Sequence, residues 1–271
     1  MKKNTRYLPQ HPPFWKYDFP SPNAPATRAC YSPNSICRPN RVDHAYLELA
    51  RSSAMVRGIG LFIGPAVIAA AVWLLIFYVK LYLELQYIVE TELFLLSIGL
   101  LIFALWFSIP IIRLELELPR DEPIRFNRLT RKVYFYEFKY DRAYILSRRR
   151  WGAKVEFHDW DDLIIEACST YAPGNGGLLE RAFIAVREPG TDKVIARYFF
   201  AFNLYQAEQY WEIVRLFMKQ GADALPAFTK PPRNWNNDAE VSFVRRLAPR
   251  VQWPPDMDIE SRTATSSGQT Q

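Results

Sequence analysis

The 271-residue sequence predicts an α+β membrane protein, a two-helix transmembrane hairpin followed by a seven-stranded antiparallel barrel with a C-terminal helix. Three observations predict it. Residues Gly58 to Val79 and Leu93 to Ile112 carry no charged side chain, and runs of 22 and 20 residues can cross a bilayer core of about 30 Å as helices. Beyond Pro123 the apolar pattern changes to period two, in short runs rich in β-branched and aromatic residues. After Asn203 that pattern gives way to a single amphipathic helical stretch.

Four regions follow: a proline-rich leader (1–41), the hairpin (42–113, spans at about 58–79 and 93–112), a β-rich domain with its helix (120–221) and a mostly irregular tail (222–271). Eight prolines fall in the first 40 residues, and each removes a backbone donor, so the leader is expected to be extended without joining a sheet ladder. Its aromatic cluster Phe14, Trp15, Tyr17 and Phe19 is expected to dock on the domain or the membrane surface, the alternative being a loosely packed arm. Val42 to Arg57 reads as a helix leading into the first span, capped by Asp43.

Basic residues are retained on the cytoplasmic side of a membrane. Arg51 and Arg57 precede the first span and Arg113, Arg120, Arg125 and Arg128 follow the second, while the connector holds Lys80 against Glu84, Glu90 and Glu92. Both termini are therefore expected in the cytoplasm. Gly60 and Gly64 have the GxxxG spacing that admits a second helix, either within the hairpin, with Ser97 and Gly99 opposite, or from another copy of the chain. The spans hold no ionisable group at mid-depth, which argues against a pump or transporter. Trp73, Tyr78, Tyr82 and Trp106 fit interfacial belts.

In the β-rich region the expected strands are Ile124 to Asn127, Lys132 to Lys139, Arg142 to Ser147, Ala153 to His158, Asp162 to Cys168, Arg181 to Arg187 and Lys193 to Phe200. Pro189 to Asp192 makes a tight hairpin turn, and Ala172 to Gly177 a longer loop. Asn203 caps the closing helix with Gln206 three positions on, Ala207, Tyr210, Trp211, Val214, Phe217 and Met218 form its apolar face, and Gly221 ends it. Seven antiparallel strands plugged by one helix is the plan of a pleckstrin-homology-like barrel. A further short helix over Asp238 to Leu247 is expected in the tail, using Val241, Phe243, Val244 and Leu247.

The second strand is apolar on both faces, Val133 and Phe135 on one, Tyr134, Tyr136, Phe138 and Tyr140 on the other. A half-buried strand has one polar face, so the aromatic face needs a cover: the chain's own leader or tail, the membrane surface, or a partner. Tyr134, Tyr136, Phe138 and Tyr140 are the candidate partner-binding residues, and Arg148, Arg149 and Arg150 the candidate contacts to anionic headgroups.

Most other chemistry is excluded. The formal charge of +6 lies in the leader, where nine Lys or Arg face three Asp or Glu before Gly58, so no basic groove for nucleic acid is expected. Cys30, Cys37 and Cys168 cannot form a complete disulfide set, and Cys30, Cys37 and His44, even with His11, lack the tight ligand pairs of a zinc site. His158 has no accompanying nucleophile motif, and Glu156, Asp159, Asp161, Asp162 and Glu166 lack calcium-loop spacing and read as solvated residues. Gly174 to Gly177 lacks the Lys of a phosphate loop. No catalytic residue, metal site or cofactor is expected.

The stretch Pro123-Ile124-Arg125-Phe126-Asn127-Arg128, then Arg131-Lys132-Val133-Tyr134, with Trp160-Asp161-Asp162 before an apolar strand, resembles an uncharacterised family of bacterial two-span inner-membrane proteins with a cytoplasmic pleckstrin-homology-like domain. The resemblance covers about residues 45–220. It implies association with type VI secretion or polymorphic-toxin genes. The expected function is therefore non-enzymatic binding of a protein partner, such as a toxin effector or secretion component, in an immunity or accessory role; the alternative is a membrane-anchored sensor or lipid-binding scaffold.

Overall fold

A computed structural model of the chain describes residues 7–25, 38–51, 58–85, 91–141, 144, 147, 150–172, 177–228, 230–234, 236–237 and 246–263. Two apolar helices, α1 (Ile59–Leu85) and α2 (Thr91–Glu117), lead into a domain of two antiparallel sheets. Both helices are long and apolar enough to cross a membrane. They pack against each other through the glycine face of α1. A Cβ placed on Gly60 would lie 2.6 Å from Ile111, and one on Gly64 2.6 Å from Ile112, so only glycine permits this approach. Glu115 of α2 then accepts the Gly58 and Gly60 amides (3.0 and 3.3 Å), satisfying donors at the start of α1. Ser97 and Gly99 do not face these glycines: the room above Gly99 is open, and the contact lies at the other end of α2.

The sequence-predicted strands β4 (Ile124–Asn127), β5 (Lys132–Lys139), β6 (Gly152–Asp159), β7 (Leu163–Ala172), β8 (Gly177–Arg187) and β9 (Val194–Ala201) all form, in place of one closed barrel of seven. Three further strands come from the first 51 residues: β1 (Trp15–Asp18), β2 (Arg41–Val42) and β3 (Tyr46–Leu49). The sheets have the orders β1-β7-β8-β9 and β2-β3-β4-β5-β6. The expected strand Arg142 to Ser147 falls largely outside the described residues, and Tyr144 and Ser147 themselves are not in a strand.

The leader prolines do not prevent pairing, because they flank the strand: Pro12 and Pro13 precede β1 and Pro20 follows it, leaving four residues free to add to the edge of β7. The helix expected over Val42 to Arg57 is likewise corrected. Tyr46 to Leu49 pairs with β4 in the register Leu47 to Phe126 and Leu49 to Ile124, which sends both leucines into the core and Tyr46 and Glu48 to the outer face. Residues 52–57 of that expected helix lie outside the described residues.

Helix α3 (Leu204–Gln220) forms with the predicted caps and apolar face, but it packs against strands of both sheets instead of plugging a closed barrel. The Asn203 side chain accepts the Gln206 amide at 2.7 Å, and Gly221 ends the helix at φ 94°, a conformation suited to glycine. Trp211, Val214 and Phe217 are completely buried between the sheets beside Trp160, Ile165 and Phe200. Phe19 joins this core, and Trp211 Nε1 donates to the Pro20 carbonyl (2.8 Å), so the leader is stapled to the closing helix. A last helix, α4 (Pro255–Arg262), packs on β4 and β5 from outside. The helix expected over Asp238 to Leu247 falls mostly outside the described residues, and Leu247 is exposed.

Candidate partner-binding site

The outer face of β5 is covered by the chain's own tail. Tyr134, Tyr136 and Phe138 are all buried, and only Tyr140 remains exposed. Trp253 stands edge-on to Tyr136, with ring centroids 5.5 Å apart, while Glu260 of α4 meets Lys132 at 2.6 Å. Burial pushes the Tyr134 hydroxyl far above the ordinary range, with the Glu260 carboxylate adding to the effect. Tyr134 and Tyr136 are thus packing residues beneath the tail, and Phe138 stands edge-on to Trp151 (ring centroids 6.5 Å), so the two-faced strand finds its second layer within the same chain.

A set of polar side chains on the same sheet face fastens the tail. Arg125 of β4 pairs with Glu48 of β3 through Nε and Nη2 (2.9 and 2.7 Å), and with Asp258 of α4 through Nη1 (2.9 Å). Its guanidinium lies between the Tyr46 and Trp253 rings, 5.0 and 4.3 Å from their centroids. Asn127 donates to the carbonyls of Glu260, Ser261 and Thr263 (3.2, 3.1 and 3.0 Å). Arg120 holds the Ala248, Asn236 and Arg246 carbonyls (3.1, 3.1 and 3.2 Å).

Beside this clasp lies a polar cavity of about 180 Å³, lined among others by Asn40, Arg41, Glu48, Asp121, Asn236 and Arg262. Asp121 is buried in its wall, accepting from Asn40 Nδ2 (2.8 Å) and from the Arg51 and Glu122 amides (3.1 and 2.8 Å). Burial outweighs these bonds and lifts its carboxyl to about 6. Arg51 turns inward and binds the Glu122, Phe199 and Tyr136 carbonyls (2.7, 2.8 and 2.7 Å), linking the two sheets. Arg51, Arg120 and Arg125, all counted as charges flanking the spans, are therefore engaged inside the fold.

The remaining sequence-predicted residues are scattered. Arg148 and Arg149 lie outside the described residues, as do Cys30 and Cys37. Arg150 is exposed, pairs with Asp141 (3.0 Å) and lies 3.5 Å over the Tyr144 ring. Next to it, Trp151 is buried, with the Arg113 guanidinium of α2 over its ring at 4.5 Å. His158 is half-buried: its Nε2 lies 2.8 Å from the Tyr198 hydroxyl, which donates to Glu156. Burial holds the His158 ring below its ordinary pKa. Of the acids read as solvated, Asp161 binds Arg131, but Glu166 is buried and held bidentately by Arg197 (2.7 and 3.1 Å). His11 lies next to Asp18 and Glu166, a grouping without any sequence motif because the leader doubles back to form it.

An exposed apolar patch occurs elsewhere. Tyr171 and Leu178 stand directly opposite on β7 and β8 and are 71% and 60% exposed, although they share the strand faces of the core residues Ala167 and Ala182. The hairpin runs past the end of the core. Phe14 is also exposed close by, its carbonyl accepting the Ser169 amide (2.9 Å).

Two helices fit to span a membrane, joined to a two-sheet domain closed by one helix and clasped by its own tail, define the class of protein. Residues 101–265 match the family of unknown function DUF6708, more than half of the chain, and the protein belongs to that family. The match runs from within α2 to just beyond α4, so the clasping tail is part of the family's domain, while the three strands before α1 precede it. No curated protein and no solved structure matches the chain.

Proposed function

We propose that this is a bacterial inner-membrane protein, anchored by α1 and α2 with both termini in the cytoplasm, that acts by binding a protein partner rather than by turnover. The partner is a toxin effector or secretion component of the type VI or polymorphic-toxin kind, and the role is immunity or assistance. The observation that carries the reading is the exposed Tyr171 and Leu178 pair, since a solvent-facing apolar patch on a well-packed domain marks an interaction surface. It replaces Tyr134, Tyr136 and Phe138 as the expected contact. Cells exposed to a toxin encoded beside this gene should be protected by the wild type and not by Tyr171→Ser with Leu178→Ser at equal membrane levels. Full protection by the double variant, or failure of the wild type against every such toxin, would overturn the reading. Reporter fusions at Gln86 and Gln271 test the orientation, and periplasmic activity at Gln271 would refute it.

One contact favours the second reading, a membrane-anchored lipid-binding scaffold with a pleckstrin-homology-like domain. Arg113 is the first charged residue after the second apolar run, and its stacking on Trp151 brings the β5–β6 connection, with Tyr140, Tyr144 and Arg150, to the level where α2 leaves the membrane. Retention of anionic over neutral lipid by the purified protein, lost in Arg150→Ala, would support it.

A further inference from the structure

The pairing of β1 with β7 sets Asp18 directly opposite Glu166. Like charges at opposed strand positions repel, and burial of one of them makes the contact costlier. Arg197 meets one carboxylate, binding Glu166 through Nε and Nη2. The same guanidinium donates to the Gln10 carbonyl (2.7 Å) and so fixes the residue before His11 against the pair. From there the chain turns through Pro12 and Pro13 and through Phe14, held at φ 65°, which brings the His11 ring back over Trp15 with centroids 4.2 Å apart. Trp15 Nε1 donates to Asp18 Oδ1 (2.8 Å) and aims that carboxylate. One imidazole nitrogen and one oxygen from each carboxylate then lie within 4.8 Å of one another.

We propose that His11, Asp18 and Glu166 bind a first-row divalent cation, which fastens the leader to the edge of the four-stranded sheet. One nitrogen and two oxygens suit Zn²⁺, whose bonds of about 2.0 to 2.2 Å are reached when the exposed His11 and Asp18 side chains close by about an ångström. The fourth position is left to solvent. With a neutral imidazole, Arg197 and the two carboxylates sum to one negative charge, so a divalent cation resolves the repulsion that Arg197 leaves between Asp18 and Glu166. Arg197 acts as a positioning residue, in the way that groups outside a metal's own ligands orient those ligands.

The test is Zn²⁺ titration of the full chain in detergent, with Cys30→Ser and Cys37→Ser in every sample so that no adventitious thiol binding of zinc is counted. One equivalent should bind, at least tenfold more weakly in His11→Ala and in Asp18→Asn, and Zn²⁺ should slow proteolysis of the leader in the parent only. His11 and Asp18 are exposed, so both variants keep the fold, which circular dichroism checks. Absence of saturable binding, or equal affinity in parent and variants, would overturn the site.

Discussion

Arg125 and Glu48, 77 residues apart in sequence, form a buried ion pair on the outer face of the five-stranded sheet, and the pair is roofed by Trp253 and Asp258 from the tail. Glu48 stands directly opposite Arg125 in the β3–β4 register. Strand pairing thus brings both Nε and Nη2 of the guanidinium onto one carboxylate oxygen, Oε2 of Glu48, and α4 adds a second carboxylate, Asp258, which also pairs with Arg262 (2.9 Å).

Removing one partner of a buried pair leaves an uncompensated charge, at a cost of about 3 to 5 kcal/mol. Arg125→Met strands the buried Glu48, whereas Asp258 keeps its pair with Arg262, and the loss should fall in that range by denaturant unfolding in detergent. Glu48→Gln with Arg125→Met should recover part of the loss, which a double-mutant cycle measures. Additive losses would show that the two side chains do not act as a pair.

Asp121 makes stability depend on pH. Its folded pKa of about 6 exceeds the ordinary value of 3.8, so the folded state holds the proton more tightly than the unfolded chain. The stability this supplies is complete below about pH 4 and is lost as pH rises through 6. Asp121→Asn should remove that slope and raise stability at pH 7.5 by about 1 to 3 kcal/mol. The Asn40 amide, whose Oδ1 is buried without a partner while Nδ2 faces Asp121, can turn over to accept from the new amide. A variant as pH-dependent as the parent between pH 4 and 7 would refute this assignment.

Local chemistry made much of this fold readable. β4 ends and β5 begins where Asn127 and Lys132 flank a turn, and α3 is capped by Asn203 and Gly221, because caps and period-two runs act over a few residues. β1 and β3 were not readable as strands. Each is four residues long, and the partner of β1 lies about 150 positions away, so nothing local separates Tyr46–Leu49 from a helical turn. The two apolar faces of β5 announced that a cover was needed. They did not reveal that Trp253, between Gln252 and the pair Pro254-Pro255, supplies it. Arg125 and Asn127 lie in the stretch that carries the resemblance, and in the structure both hold the tail.

Trp211 offers a direct check on the domain core. It is completely buried, lies 5.0 Å from Trp160 ring to ring and bonds the Pro20 carbonyl. Trp211→Ala should cost about 3 to 5 kcal/mol through cavity formation. The leader should also become protease-sensitive near Pro20, since its staple is gone. Unchanged thermal stability would place the tryptophan outside the core.

The glycine face of α1 separates hairpin from oligomer. Gly60 and Gly64 are covered by Ile111, Ile112 and Glu115 of the same chain, so this surface is not free for a second copy as long as the hairpin holds. Gly64→Leu must push Ile112 aside, and overpacking of this kind costs about 1 to 3 kcal/mol. The thermal midpoint in detergent should fall accordingly. The mass of the particle, measured by light scattering, should stay that of the wild type, because the wedge opens a contact within one chain. A wild-type dimer that becomes a monomer on this substitution would instead assign the glycines to an interface between chains.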